Sequence, residues 1–343
     1  MCWPTKWVRT FLLLLTLMCL AQAAYSQSNN SNLNASANAV LWRDPGNIST
    51  RDLRYGPGST RLAPRAPFTF IEEVKSGVSP KIRVRDARGV RWTIKLGEEA
   101  QAETVSTRLV WAIGYFAEEA YYFDRVAVRG LPQLSRGRQF VMRGNILSGA
   151  RFEPTRSNLK SGPRWDWSKN PFVGTEELSG LKIMMILLNN YDARTENNRI
   201  FFAKDPARRV TEARYYVTDI GATLGKADGL GGRRSKNNLS DFLSTRFVLG
   251  VEDDGSVKFD YDTRPTKLGM LSIVHLPYYR SQVKKEKAMR GIPVEHARWA
   301  GSLLSQLSDK QLHDAFAAAR YKPQVINAFV RALRERINQL NQL

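Results

Sequence analysis

The chain has 343 residues, of which 43% are hydrophobic and 24% are charged, so it can bury a sizeable core and is not disordered over most of its length. Lys and Arg together number 52 against 32 Asp and Glu, and the net charge of +20 favours acidic partners such as phosphate groups, nucleic acid or anionic envelope polymers. Long apolar runs are confined to the N-terminus, which excludes a polytopic membrane protein.

The N-terminal segment has the pattern of a signal peptide. Lys6 and Arg9 precede the apolar run 11–20, and residues 21–23 supply the small side chains that a signal peptidase recognises. The run is shorter than the roughly 20 residues that span a bilayer, so cleavage is favoured over the alternative of an uncleaved anchor. We therefore predict a signal peptide at 1–23 and an exported protein, periplasmic or secreted, without a transmembrane domain.

Polar sequence of low complexity follows the signal peptide. It contains many Ser and Asn residues and then Pro and Gly, without helical or strand periodicity. We predict a flexible linker over 24–65 and a folded domain that begins at Ala66.

The first folded segment, 66–143, has the pattern of a small β-rich domain. Alternating apolar residues predict three antiparallel strands, and a stripe of apolar residues at three- and four-residue spacing predicts a helix after them. Two more β-prone runs complete a five-stranded sheet. The predicted elements are strands 68–74, 81–86 and 90–95, helix 99–117, and strands 121–128 and 138–143.

The second segment, 144–343, is predicted to be mainly helical. After a connection over 144–171, an apolar helix over 178–188 ends at a polar loop that holds Asp192 and Asn197. A predicted hairpin, with strands at 199–202 and 214–218, then runs directly into Asp219-Ile220-Gly221. Apolar periodicity indicates helices through the C-terminal region.

This order of elements and motifs resembles the protein-kinase-like superfamily, closest to its atypical branches, the phosphatidylinositol kinases and the HipA-type kinases. The resemblance extends from Ala66 to the C-terminal helices. It implies a two-lobed α+β fold, with a small five-stranded antiparallel sheet and one helix in the first lobe and a mainly helical second lobe.

The resemblance also implies ATP and Mg²⁺ as cofactors of a phosphotransferase. In that scheme Lys95 contacts the α- and β-phosphates, and Glu103 holds Lys95 by an ion pair, with Glu99 as the alternative partner. Gly77 lies in the turn between the first two strands, where such folds drape backbone amides over the nucleotide.

The loop and the Asp-x-Gly motif take the remaining roles that the resemblance implies. Asp192 accepts the proton of the incoming hydroxyl or orients it, while Asn197 and Asp219 bind the metal ion. The loop has Asn190-Tyr191 where ordinary kinases have a histidine before the aspartate. This departure is typical of the atypical branches and also of pseudokinases.

Two functions therefore stay open at the level of sequence. One is an exported Mg-ATP-dependent phosphotransferase with an unknown acceptor; the other is an inactive kinase-like scaffold that binds anionic envelope material or a protein partner. An enzyme requires Lys95, Asp192 and Asp219 to converge, whereas a scaffold does not.

Two further motifs bear on partners. The basic segment 229–238, with Arg233, Arg234 and Lys236, favours an acidic or phosphorylated acceptor, and the alternative is a solvated surface loop. Trp165-Asp166-Trp167 fits either sugar stacking or a strand that packs its rings inward. Specific nucleic-acid binding is not expected, because the sequence carries no recognised motif for it. The sequence leaves the oligomeric state undetermined.

Overall fold

The computed structural model of the chain describes residues 38–155, 159–205, 210–227, 234–263 and 276–343. The predicted signal peptide and the first part of the predicted linker lie outside these ranges. Within them, the helices are too short or too polar to cross a membrane, in agreement with the prediction of no transmembrane domain.

Strands predominate in the first part of the chain and helices in the last part. The strands are β1 (Asn38–Val40), β2 (Phe68–Val74), β3 (Lys81–Arg85), β4 (Arg91–Leu96), β5 (Tyr121–Arg129), β6 (Val141–Met142), β7 (Ile146–Pro154), β8 (Lys160–Ser161), β9 (Asn198–Asp205), β10 (Val210–Val217), β11 (Val248–Val251) and β12 (Val257–Phe259). The helices are α1 (Glu99–Ala112), α2 (Glu176–Leu187), α3 (Leu239–Leu243), α4 (Leu276–Ala288), α5 (Val294–Ser305), α6 (Asp309–Ala318) and α7 (Pro323–Asn341).

The N-terminal sheet closes on itself into a five-stranded barrel. Its strands pair in the order β4-β3-β2-β5-β7, and β7 also pairs with β4. The β2–β5 pair is parallel and short, joining Phe68 to Val128 and Thr69 to Arg129, while the other barrel pairs are antiparallel. Apolar residues that alternate along the strands, such as Val84 on β3, fill the interior.

The predicted two-lobed kinase-like fold with an antiparallel sheet is therefore wrong. The first four predicted strands are confirmed to within a residue or so, but Arg138–Phe140 forms a 3₁₀ turn and the fifth barrel strand is β7. The glycines at 144 and 149 favoured the prediction of a connection where the structure has β7. Its pairing with β4 and β5 joins residues far apart in sequence, and the pattern of a single strand cannot reveal it.

The segment before the barrel is folded, in contrast to the linker predicted there. Strand β1 pairs in parallel with β10, and Leu41, Ile48 and Leu53 are buried in the main core. These apolar residues are too widely spaced to produce the helical or strand periodicity from which elements are predicted. Strand β10 pairs with β9, which confirms the predicted hairpin, and β9 pairs with β8, so the region after the barrel contains a mixed sheet beside its helices.

The C-terminal helices contribute much of the larger hydrophobic core. Helix α2 is buried on almost every face and packs against α5, which in turn packs against α7. Arg336 of α7 donates hydrogen bonds to the carbonyls of Leu187 and Phe242. These bonds anchor the C-terminal end of α2, from which the Asp192 loop departs.

Candidate functional site

Three cations lie side by side on the outer face of the barrel. Strand register places Lys81 of β3 opposite Lys95 of β4, and Lys95 opposite Arg151 of β7. Like charges in neighbouring strands repel one another unless carboxylates compensate them. These cations line a cavity of about 160 Å³. The other lining residues are Thr93, Glu103, Glu118, Glu153, Thr218 and Asp219.

Lys95 is the centre of this charge cluster. Its side chain is only 3% exposed, and its Nζ lies 2.7 Å from Glu99, 3.0 Å from Glu103 and in hydrogen-bond contact with Asp219. Burial alone would lower the pKa of Lys95, but the carboxylates of Glu103, Asp219 and Glu99 outweigh it and raise this pKa above its ordinary value. Lys95 is therefore a fixed cation, and both partners that the sequence suggested for it are in contact.

Glu103 is held from two sides. Its Oε2 contacts Lys95, while its Oε1 lies 3.5 Å from Nη2 of Arg151. The Arg151 guanidinium also lies 3.1 Å from Glu153 and 3.7 Å from Glu118. Sequence reasoning missed Arg151, because the residue becomes visible as a neighbour of Lys95 only when the β4–β7 register is known.

The Asp219-Ile220-Gly221 motif fits closely against α1. Asp219 has a positive φ of 52°, which aspartate tolerates better than most residues. A Cβ on Gly221 would stand 2.7 Å from Cβ of Glu99 and 3.3 Å from Oε2 of Glu103. Glycine is therefore required here for close approach, and the approach brings Asp219 to Lys95.

Glu99 joins two lysines from different parts of the chain. Burial tends to raise its pKa, but Lys95 and Lys236 lower the pKa to about 2. Its Oε1 accepts a hydrogen bond of 2.7 Å from Lys236. Lys236 belongs to the basic segment predicted at 229–238, of which residues 229–233 lie outside the described ranges.

The loop after α2 places Asp192 and Asn197 together. The Asn197 amide donates to the carbonyl of Asp192 at 2.8 Å and to its Oδ2 at 3.0 Å. The Asn197 carbonyl in turn accepts from the backbone N–H and the hydroxyl of Thr218. Because Thr218 precedes Asp219, the loop is tied directly to the lysine cluster.

Arg194 covers the Asp192 carboxylate. Its Nε lies 2.6 Å from Oδ1 and its Nη2 lies 2.9 Å from Oδ2. This side-on pair fixes the orientation of the carboxylate and leaves Nη1 outside the contact. Asp192 does not line the cavity that contains Lys95 and Asp219.

Gly77 lies at the tip of the β2–β3 turn and not among the residues that line the Lys95 cavity. Its φ of 80° explains why a glycine is used. Arg136 donates to the carbonyls of Gly77 and Ser79, which holds the turn in place. Contact between the turn and a nucleotide stays a prediction.

The donor set fits Mg²⁺ only in the company of phosphates. Across the described ranges, His, Cys, Asp and Glu side chains do not form a group of three or more that could hold a metal ion. Mg²⁺ is commonly bound by one or two carboxylates together with waters and substrate phosphates. Asp219 matches that pattern as the single carboxylate, whereas the contact of Asn197 with Thr218 is made by its main-chain carbonyl and its side-chain amide donates to Asp192.

Comparisons with known proteins give no relative. Neither protein-family models, nor curated proteins, nor solved structures match the chain. The resemblance to kinases therefore depends on the order of the motifs and on the contacts of their side chains.

Proposed function

We propose that this protein is a Mg²⁺-ATP-dependent phosphotransferase. The observation that carries the proposal is the contact of Lys95 with both Glu103 and Asp219 in one cavity. These residues come from a strand, a helix and a distant loop, and the Asp192 loop is bonded to the residue before Asp219. Of the three residues whose convergence an enzyme requires, Lys95 and Asp219 thus share the cavity, while Asp192 lies outside its lining and is linked to it through Asn197 and Thr218.

The cavity is lined by three cations and four carboxylates, so a polyphosphate would bind by replacing a carboxylate on the cations, with Mg²⁺ offsetting part of its charge. Lys81, Lys95 and Arg151 face a space in which Asp219, 46% exposed, is the most accessible anion among those paired with Lys95. Phosphate oxygens would take the place of Asp219 on Lys95. Mg²⁺, when bound with the nucleotide, neutralises the charge that spreads over the phosphates during transfer. Glu103, pinned by Arg151, keeps Lys95 in position.

The transfer itself would use the Asp192 loop. The acceptor oxygen forms a bond to the γ-phosphorus while the bond between that phosphorus and the bridging oxygen breaks, and ADP leaves with that oxygen. Asp192 orients the acceptor hydroxyl and receives its proton, which then passes to water. Asn197 and Arg194 hold the carboxylate in the orientation that this step requires.

Melting of the purified chain with and without nucleotide tests the proposal. A ligand at about 100 times its Kd stabilises the native state by roughly 2.7 kcal/mol, so Mg-ATP should raise Tm by several degrees. ATP with a chelator should raise it less. Asp219→Asn should abolish the metal-dependent part, and the matched control Asp253→Asn, at an exposed turn, should retain it.

Two results would contradict the proposal. One is no rise in Tm at millimolar Mg-ATP, and the other is the same rise in wild type and Asp219→Asn. Either result would leave the inactive scaffold as the function to pursue.

A further inference from the structure

A second cavity lies beside the Asp192 loop. Its volume is about 270 Å³, and within the described ranges it shares no lining residue with the Lys95 cavity. The two cavities are therefore distinct, and residues 193–196 of the Asp192 loop line this one. Its lining residues are Asp166, Trp167, Ala193, Arg194, Thr195, Glu196, Lys284, Lys285 and Ala288.

One wall of this cavity is built on Asp166. The Asp166 Oδ2 accepts hydrogen bonds from Lys284 at 2.6 Å and from Thr195 at 3.2 Å. Behind Asp166, the rings of Trp165 and Trp167 are almost fully buried and contact each other edge to face. The tryptophans therefore support the wall, and sugar stacking on their faces is excluded.

Lys285 is a second cation of the lining, beside Lys284. It is 4% exposed, and its ammonium donates to the carbonyl of Tyr191, the residue before Asp192. Burial, reinforced by Arg234, lowers the pKa of Lys285 to about 7 although Asp192 acts in the opposite direction. A negative charge placed in the cavity would favour the protonated ammonium.

Three cationic side chains line the cavity, those of Lys284, Lys285 and Arg194, against two carboxylates, those of Asp166 and Glu196. Lys284, Lys285 and Arg194 carry eleven N–H groups between them by their chemistry, roughly three on each lysine and five on the arginine. Asp166 already accepts from two side chains, and Nη1 of Arg194 lies outside its pair with Asp192. Such a site recognises acceptor atoms, and phosphate and carboxylate groups present the most of them.

We propose that this cavity binds a phosphate or carboxylate group of the acceptor and so brings a hydroxyl of the same small molecule to Asp192. The inference rests on the proposed phosphotransferase function and names its substrate class. The volume is close to the lower end of small-molecule sites, which run from about 300 Å³ upward, and this favours a compact acceptor.

Binding without nucleotide tests the cavity separately from catalysis. We would titrate the purified chain calorimetrically with glycerol 3-phosphate, glycerate and glycerol. The two anions should bind and glycerol should not. Lys285→Met and Lys284→Gln should each weaken binding of the anions at least tenfold. The control Lys287→Gln removes the same charge from an exposed position of α4 outside the cavity and should leave binding unchanged.

Equal binding of glycerol and the anions would overturn the inference. Equal weakening by Lys287→Gln would also overturn it, because that result would show attraction to the general positive charge. If Lys285→Met does not fold, the remaining test is whether Lys284→Gln weakens binding of the anions more than Lys287→Gln does.

The same probes distinguish failure of the inference from failure of the proposed function. In the presence of Mg-ATP, specific binding of the anions without formation of a phosphoester would support the cavity and contradict the phosphotransferase. Phosphoryl transfer to glycerol but to neither anion would support the phosphotransferase and overturn the anion site.

Discussion

Replacing Lys95 with methionine should destabilise the protein through the carboxylates left behind. Glu103 is only 2% exposed, and Glu99 and Asp219 also lose their common partner. Removing one partner of a buried ion pair costs about 3 to 5 kcal/mol, because the other charge remains without compensation. Arg151 still faces Glu103, so we expect about 3 kcal/mol for Lys95→Met at pH 7.

The pH dependence identifies the cause of this loss. Lys95 and Lys236 lower the pKa of Glu99 from 4.5 to about 2, which corresponds to roughly 3 kcal/mol before its partial exposure is considered and about 2 kcal/mol after. A carboxyl with a lowered pKa stabilises the native state above the unfolded pKa, and this stabilisation disappears as pH falls from 4.5 towards 2. Wild-type stability should therefore stay level between pH 7 and pH 5 as far as this group is concerned.

The variant should behave in the opposite way over the same range. Without Lys95 the buried carboxyls bind protons more readily in the native state than in the unfolded state, so acidification from pH 7 to pH 5 stabilises Lys95→Met. Urea unfolding at both pH values should show the difference from wild type shrinking by about 1 kcal/mol or more. Lys81→Met, in the same row of cations, should cost less than about 1 kcal/mol at either pH. An equal loss for Lys95→Met at pH 7 and pH 5 would refute the electrostatic reasoning.

Three more substitutions test the rest of the site. Arg151→Met should lower the free energy of unfolding in urea by about 3 kcal/mol, because Glu103 then keeps only Lys95 and the carboxylates of Glu118 and Glu153 lose their contact with Arg151. An unchanged stability would show that Arg151 does not hold Glu103 in place. Gly221→Ala should lower the free energy of unfolding by about 1 to 3 kcal/mol in the same assay, because the added methyl group would stand 2.7 Å from Cβ of Glu99. A variant as stable as the wild type would show that α1 can shift without loss. Asn197→Ala should lower the Tm by only a few degrees but remove most of the metal-dependent rise with Mg-ATP, and an unaltered rise would exclude Asn197 from the metal site.

Single strands and the Asp192 loop were predictable because each is indicated by neighbouring residues in the sequence. Period-two alternation in Lys81–Arg85 puts Val84 inside the barrel, and the sequence shows it directly. The Asp192 loop was recognisable for a similar reason, since a polar loop after an apolar helix is a short-range signal. The contact of Lys95 with Glu103 spans only eight positions and crosses one turn of chain.

Closure of the barrel was not predictable from such signals. Strand β7 pairs with β4 and β5 at once, and the parallel β2–β5 pair involves only two residue positions on each strand. Pairings of this kind are decided by how the whole chain packs. Arg151 was missed for that reason, and so was the contact of Lys285 of α4 with Tyr191.

Formation of ADP from Mg-ATP by the purified chain tests the central claim most directly. With water or a hydroxyl-bearing anion as acceptor, we expect metal-dependent ADP formation that Lys95→Met and Asp192→Asn each reduce at least a hundredfold, roughly 2.7 kcal/mol in the barrier. The exposed control Lys258→Met should keep the wild-type rate. No ADP at millimolar Mg-ATP, or the same rate in Asp192→Asn as in wild type, would contradict it.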